Sequence, residues 1–121
     1  MSKARLLIVD DAAFIRMMIR DAVKDHFEVV AEASTGEDAV RLWEEHKPAI
    51  TTMDISLQTE MNGLDALKQI VRQDSRARVI MVSSMGEEEF IKRSIDIGAI
   101  DFIVKPFTRE DLLATLQAAM K

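Results

Sequence analysis

The sequence predicts an α/β protein built on a doubly wound parallel sheet of five strands, each followed by a helix. Three short, branched apolar runs, Leu6 to Val9, Val79 to Val82 and Phe102 to Val104, are too short for helices and read as strands buried on both faces. The segments between them carry apolar residues at helical spacing. Alternating βα units of this kind imply a parallel sheet with helices on both faces.

In chain order, the first strand is followed by a helical stripe of Ile15, Met18, Ile19, Ala22 and Val23. Phe27 to Ala33 alternates partially and reads as the second strand, and Ala39, Val40 and the core residue Trp43 mark the second helix. Ile50 to Met53 is a less apolar third strand, before a helix with Leu64, Leu67, Ile70 and Val71 inward. After the fourth strand, Ile91 and Ile95 are the expected core positions of a helix, and a last helix follows the fifth strand. Ser34 with Glu37, Asn62 with Asp65, and Thr108 with Asp111 fit helix starts in which a capping residue precedes an acid by three positions. Gly36, Gly63 and Gly98 fall at junctions, and Pro48 and Pro106 flank strands.

A chain of 121 residues suits one globular unit, so residues 1–121 are expected to form a single domain without an attached output domain. Its 48% hydrophobic and 31% charged residues exclude a disordered or low-complexity chain. The longest apolar run is four residues and charges begin at Lys3, so no membrane span or signal peptide is expected and the cytoplasm is the expected location. The absence of cysteine removes disulfides, zinc-thiolate sites and thiol nucleophiles. A net charge of −5 disfavours nucleic acid as a partner and favours a cation site.

Ligands of open parallel sheets bind beyond the carboxyl ends of the strands. There the sequence places Asp10 and Asp11, Asp54, Ser83 and Ser84, and Lys105. Singly, each has an ordinary reading: a helix cap for Asp10 or Asp11, turns for Asp54 and the serines, a strand end for Lys105. Together, three carboxylates at one sheet edge repel unless a cation compensates them. Oxygen donors without His or Cys select a hard ion, and Mg²⁺ fits a set that leaves positions for water and phosphate. A metal, a lysine and a hydroxyl around one carboxylate are the parts of phosphoryl transfer, with Asp54 as the candidate nucleophile.

The segments LLIVDD (6–11), MD (53–54), VIMVSS (79–84) and GAIDFIVKPF (98–107), in this order, resemble the receiver domain of bacterial response regulators, and the resemblance spans the whole chain. It implies the flavodoxin-like strand order 2-1-3-4-5. By position, Asp54 resembles the phospho-acceptor, and Asp10 and Asp11 resemble the acid pair that holds Mg²⁺ with Asp54 and the backbone carbonyl of Ser56. Ser83 resembles the hydroxyl that bonds the phosphoryl group, and Lys105 the lysine that pairs with it, before an expected cis bond to Pro106. Phe102 stands where an aromatic moves inward on activation. The resemblance also implies a non-enzymatic, monomeric switch with a histidine kinase, an effector and a phosphatase as partners, the effector meeting the face formed by the fourth helix, fifth strand and fifth helix.

Within that family the chain is most similar to single-domain regulators of the CheY type, and VDDAAFIRMMI (9–19) favours chemotaxis over a phosphorelay step. Phe90 is a candidate neighbour of Phe102 on the effector face, and Phe14 with Met17 a second candidate contact. The loop Ile55 to Asn62 departs from the family in lacking a proline and in having one extra residue, which predicts a differently shaped, more mobile loop; Glu60 in it reads first as a solvated loop acid and second as a residue reaching toward the metal. Met85 would shield the site from hydrolytic water. A Mg²⁺-dependent phosphohydrolase is disfavoured because Asp10 and Asp11 are adjacent, and a flavin module because DDAAFIR (10–16) lacks a phosphate cradle.

Overall fold

A computed structural model describes residues 3–121. Strands β1 (Ala4–Val9), β2 (Phe27–Ala33), β3 (Ile50–Asp54), β4 (Val79–Ser83) and β5 (Asp101–Val104) alternate with helices α1 (Ala13–Val23), α2 (Gly36–His46), α3 (Gly63–Gln73), α4 (Glu88–Ile97) and α5 (Arg109–Ala119). The sheet is parallel throughout, in the order β2-β1-β3-β4-β5. Because the chain winds outward in opposite directions from β1, a switch point opens between the carboxyl ends of β1 and β3.

The pleat of β1 sends Leu7 and Val9 to one face and Leu6 and Ile8 to the other, and each pair heads a separate core. On the first face, Ala39, Val40 and Trp43 of α2 and Leu64, Leu67 and Ile70 of α3 pack over Met53, Val79 and Met81. On the second, Ile19, Ala22 and Val23 of α1 and Leu112 and Leu116 of α5 cover Ile50, Ile80, Val82 and Ile103. β1, β3 and β4 are thereby anchored from both sides, and the polar residues at their carboxyl ends are held on rigid elements.

Four local expectations are corrected. β5 is an edge strand, not a strand buried on both faces: only Ile103 is buried, while Phe102 is 41% and Val104 36% exposed. α4 turns Ile91, Ser94 and Ile97 inward, leaving Ile95 44% exposed. Met18 lies at the surface of α1, whose buried residues are Ile19, Ala22 and Val23. α2 is capped by Thr35, which accepts a hydrogen bond from the Asp38 amide, and not by Ser34 with Glu37. The other two starts hold: Asn62 and Asp65 form a reciprocal capping box, and Thr108 accepts from the Asp111 amide.

Candidate functional site

β1 and β3 pair through Val9 and Met53, so the next residues, Asp10 and Asp54, emerge side by side at the switch point. Both are nearly buried, at 1% and 4% exposure, whereas Asp11 is exposed. One carboxylate oxygen from each of the three lies within 4.8 Å of the others. The turn after β1 is fixed at several points: the Asp10 amide donates to Ala33 O at 3.0 Å, Asp10 Oδ1 accepts from the Ala12 amide at 2.9 Å, and Arg16 Nη1 donates to Asp10 O at 2.7 Å. Arg16 is itself held by Glu32 at 3.3 Å. Neither aspartate caps α1, whose N-cap is Ala12 without a side-chain bond, so the capping reading of the pair does not hold.

Lys105 brings the compensating cation. The Lys105–Pro106 bond is cis, and Nζ lies 2.9 Å from Asp10 Oδ2 and 3.7 Å from Asp54 Oδ1. Burial would lower the pKa of the lysine, but contact with Asp10 and the charges of Asp54, Asp10 and Asp11 outweigh it and raise the pKa. Asp54 is raised from 3.8 to about 6, chiefly by burial and then by the charge of Asp10, against the opposing effects of Lys105 and of the Ser56 amide. That amide donates to Asp54 Oδ1 at 3.2 Å.

One buried oxygen at this edge lacks a hydrogen-bond partner and a second has only Lys105. Apart from its ion pair with Lys105, Asp10 Oδ2 has none, and neither does Oγ of the fully buried Ser83. The unpartnered buried hydroxyl of Ser83 beside the carboxylate cluster fits a polar binding site, and the all-oxygen donor set is compatible with Mg²⁺.

The proline-free loop is anchored at several points. Ile55 and Leu57 are buried, Thr59 Oγ1 donates to Met61 O at 2.7 Å, and the Gly63 amide donates to Ile55 O at 3.2 Å. Two glycines permit backbone approach: an added Cβ would lie 2.1 Å from Met61 O at Gly36 and 2.1 Å from Asp54 O at Gly63. Glu60 lines a groove with Glu37, Lys68 and Arg72, outside the acid cluster.

Glu87 was not singled out from the sequence. It accepts from the Ser84 amide at 2.5 Å and from Ser56 Oγ, joining the loops that follow β3 and β4. The spacing Ser84-x-x-Glu87 carried a signal, since it repeats half of a capping box. Phe102 and Phe90 are both exposed; Phe102 lines an apolar groove with Met85, Ile91 and Val104, and Phe90 lines one with Leu57, Leu64 and Glu87. Phe14 and Met17 are exposed on α1.

Residues 6–117 match the response regulator receiver domain. The chain belongs to that family. This receiver domain is 50% identical to the chemotaxis protein CheY of Bacillus subtilis over 117 residues, covering 96% of the chain and 97% of the relative. Among solved structures, it superposes on the response regulator domain of Thermotoga maritima CheB with a TM-score of 0.89 and 37% identity, covering 98% of this chain and 97% of that one. It also superposes on a chain of the CheX-CheY-BeF3-Mg complex of Borrelia burgdorferi with a TM-score of 0.91 and 33% identity, covering 98% of this chain and 90% of that one. It is therefore a CheY-like receiver domain of a two-component system, which fits a signalling switch and not a classical enzyme.

Proposed function

We propose that this receiver domain is a chemotaxis switch that accepts one phosphoryl group on Asp54 and then binds an effector. The observation that carries the reading is the convergence of Asp10, Asp11, Asp54 and Lys105 beside the unpartnered hydroxyl of Ser83. An Asp54 oxygen attacks phosphorus as the P–N bond of a kinase phosphohistidine, or the P–O bond of acetyl phosphate, breaks and its electron pair leaves with the donor. Asp54 becomes an acyl phosphate. Lys105 stays protonated and balances the added charge, and Ser83 donates a hydrogen bond to a phosphoryl oxygen.

Asp10, Asp11, Asp54 and the carbonyl of Ser56 would hold Mg²⁺. When bound, the ion supplies charge neutralisation on the phosphoryl oxygens.

The output face lies along α4, β5 and α5, where Phe102, Val104 and Ile95 are exposed, with exposed Met85 in the loop before α4. Phe102 borders the groove lined by Ile91 and Val104, which suits a ring that moves inward, and having no hydroxyl it would do so for apolar burial alone. Names of relatives support the chemotaxis assignment, and the solved complex of a CheY with CheX supports a phosphatase partner beside the kinase and effector. The proposed location is the cytoplasm; among the described residues no helix is long and apolar enough to cross a membrane.

The test is stoichiometry. With excess acetyl phosphate and Mg²⁺, intact mass is expected to rise by one phosphoryl group per chain and stop, with free phosphate released only as fast as the phosphorylated chain decays. Fast release of phosphate without a phosphorylated chain accumulating would contradict the switch and favour a phosphohydrolase.

A further inference from the structure

We propose that Glu87 is a latch that holds the unphosphorylated form and is released when Asp54 is phosphorylated. The inference rests on Asp54 being the phospho-acceptor. One carboxylate, at the N-cap of α4, accepts from the Ser84 amide at 2.5 Å and from Ser56 Oγ. Ser56 in turn donates its amide to Asp54 Oδ1 at 3.2 Å, so a single residue touches both the acceptor carboxylate and the latch. Among the described residues, no other side-chain hydrogen bond joins these two loops.

Little else holds the loop after β4. Ser84, Met85 and Gly86 are exposed, Met85 at 84%, and Gly86 has a left-handed φ of 93° with open space around it. Glu87, at the end of that loop, ties it to the site through its contact with Ser56. If the loop after β4 shifts as Ser83 engages a phosphoryl oxygen, it moves relative to Ser56, and the Glu87–Ser56 contact is the side-chain bond that resists the shift. A phosphoryl group also adds about two negative charges and three strong acceptors next to Ser56, repelling Glu87 and competing for its donors. The latch therefore opposes the arrangement that phosphorylation favours, and its strength sets how readily the chain takes up and keeps the group.

The test compares acetyl phosphate uptake by intact mass, at fixed Mg²⁺, for the wild type, Glu87→Ala, Glu87→Gln, Ser56→Ala and the double variant Ser56→Ala/Glu87→Ala, with hydrogen exchange of the Ser84 amide in the absence of donor. Glu87→Ala is expected to speed uptake threefold or more and to speed exchange at Ser84. Glu87→Gln, which keeps the size and an acceptor, should fall between. Ser56→Ala should act more weakly, and the double variant should be no faster than Glu87→Ala alone, because both act through one contact. Equal or slower uptake by Glu87→Ala, unchanged exchange at Ser84, or additive effects in the double variant would overturn the latch. No uptake by the wild type would instead overturn the assignment of Asp54.

Discussion

Gly63→Ala is expected to lower stability by about 3 kcal/mol and to cut phosphoryl uptake at least tenfold. Alanine is the better helix former by about 1 kcal/mol, so propensity alone would predict a gain at this first residue of α3. Contact decides the sign. A Cβ at Gly63 would lie 2.1 Å from the carbonyl oxygen of Asp54 and 2.9 Å from its carbonyl carbon and from Cα of Ile55. These are backbone atoms at the end of a buried central strand, and they cannot turn aside as a long side chain could. The displacement passes directly to Asp54 and to Ser56, whose amide steadies the carboxylate. Urea unfolding and intact mass would check both effects, and a variant as stable and as readily phosphorylated as the wild type would show that this close approach is not needed.

Asp54→Asn should make the metal-free protein more stable at neutral pH although it destroys the acceptor. Asp54 is raised from 3.8 to about 6 by burial and the neighbouring Asp10. Between those two pH values the native state holds a proton that the unfolded chain has lost, so stability falls as pH rises. The contribution is whole below about 3.8 and gone once pH has risen through about 6. A shift of this size corresponds to roughly 3 kcal/mol, and screening by solvent at the open side reduces it to about 1–2 kcal/mol. Lys105 keeps its pairing with Asp10 in the variant, because that contact is the shorter of the two, 2.9 Å against 3.7 Å. Stability curves from pH 4 to 7 without metal should therefore diverge, with the variant above the wild type at pH 7, and added Mg²⁺ should narrow the gap by stabilising the wild type. Parallel curves would show that Asp54 is not destabilised by its surroundings.

The positions of Asp10, Asp54, Ser83 and Lys105 were legible because strand ends are legible: a branched apolar run stops at a polar residue, and in a parallel sheet those stops share one edge. The strand order came from the family resemblance. Whether a short apolar run is central or at the edge depends on what covers it, so Phe102 to Val104 could not be told from Val79 to Val82. The exposure of Ile95 is not legible for a similar reason: two inward stripes are available on α4, and packing of Ile91 and Ile97 against the core selects between them. The anchoring of the loop after β3 depends on Gly36, distant in sequence, lying against Met61. Glu87 was hidden in a run of three acids, where only the folded loops distinguish the one that bridges Ser56 and Ser84 from its solvated neighbours.

The most direct test of Asp54 as phospho-acceptor is intact mass after incubation with acetyl phosphate and Mg²⁺, with Asp54→Asn and a chelator-treated wild type alongside. The expected result is a gain of one phosphoryl group in the wild type, with none in the variant and none without metal. A phosphoryl group on Asp54→Asn, or uptake undiminished by chelation, would contradict the assignment of Asp54 and its acid neighbours as the phosphorylation centre.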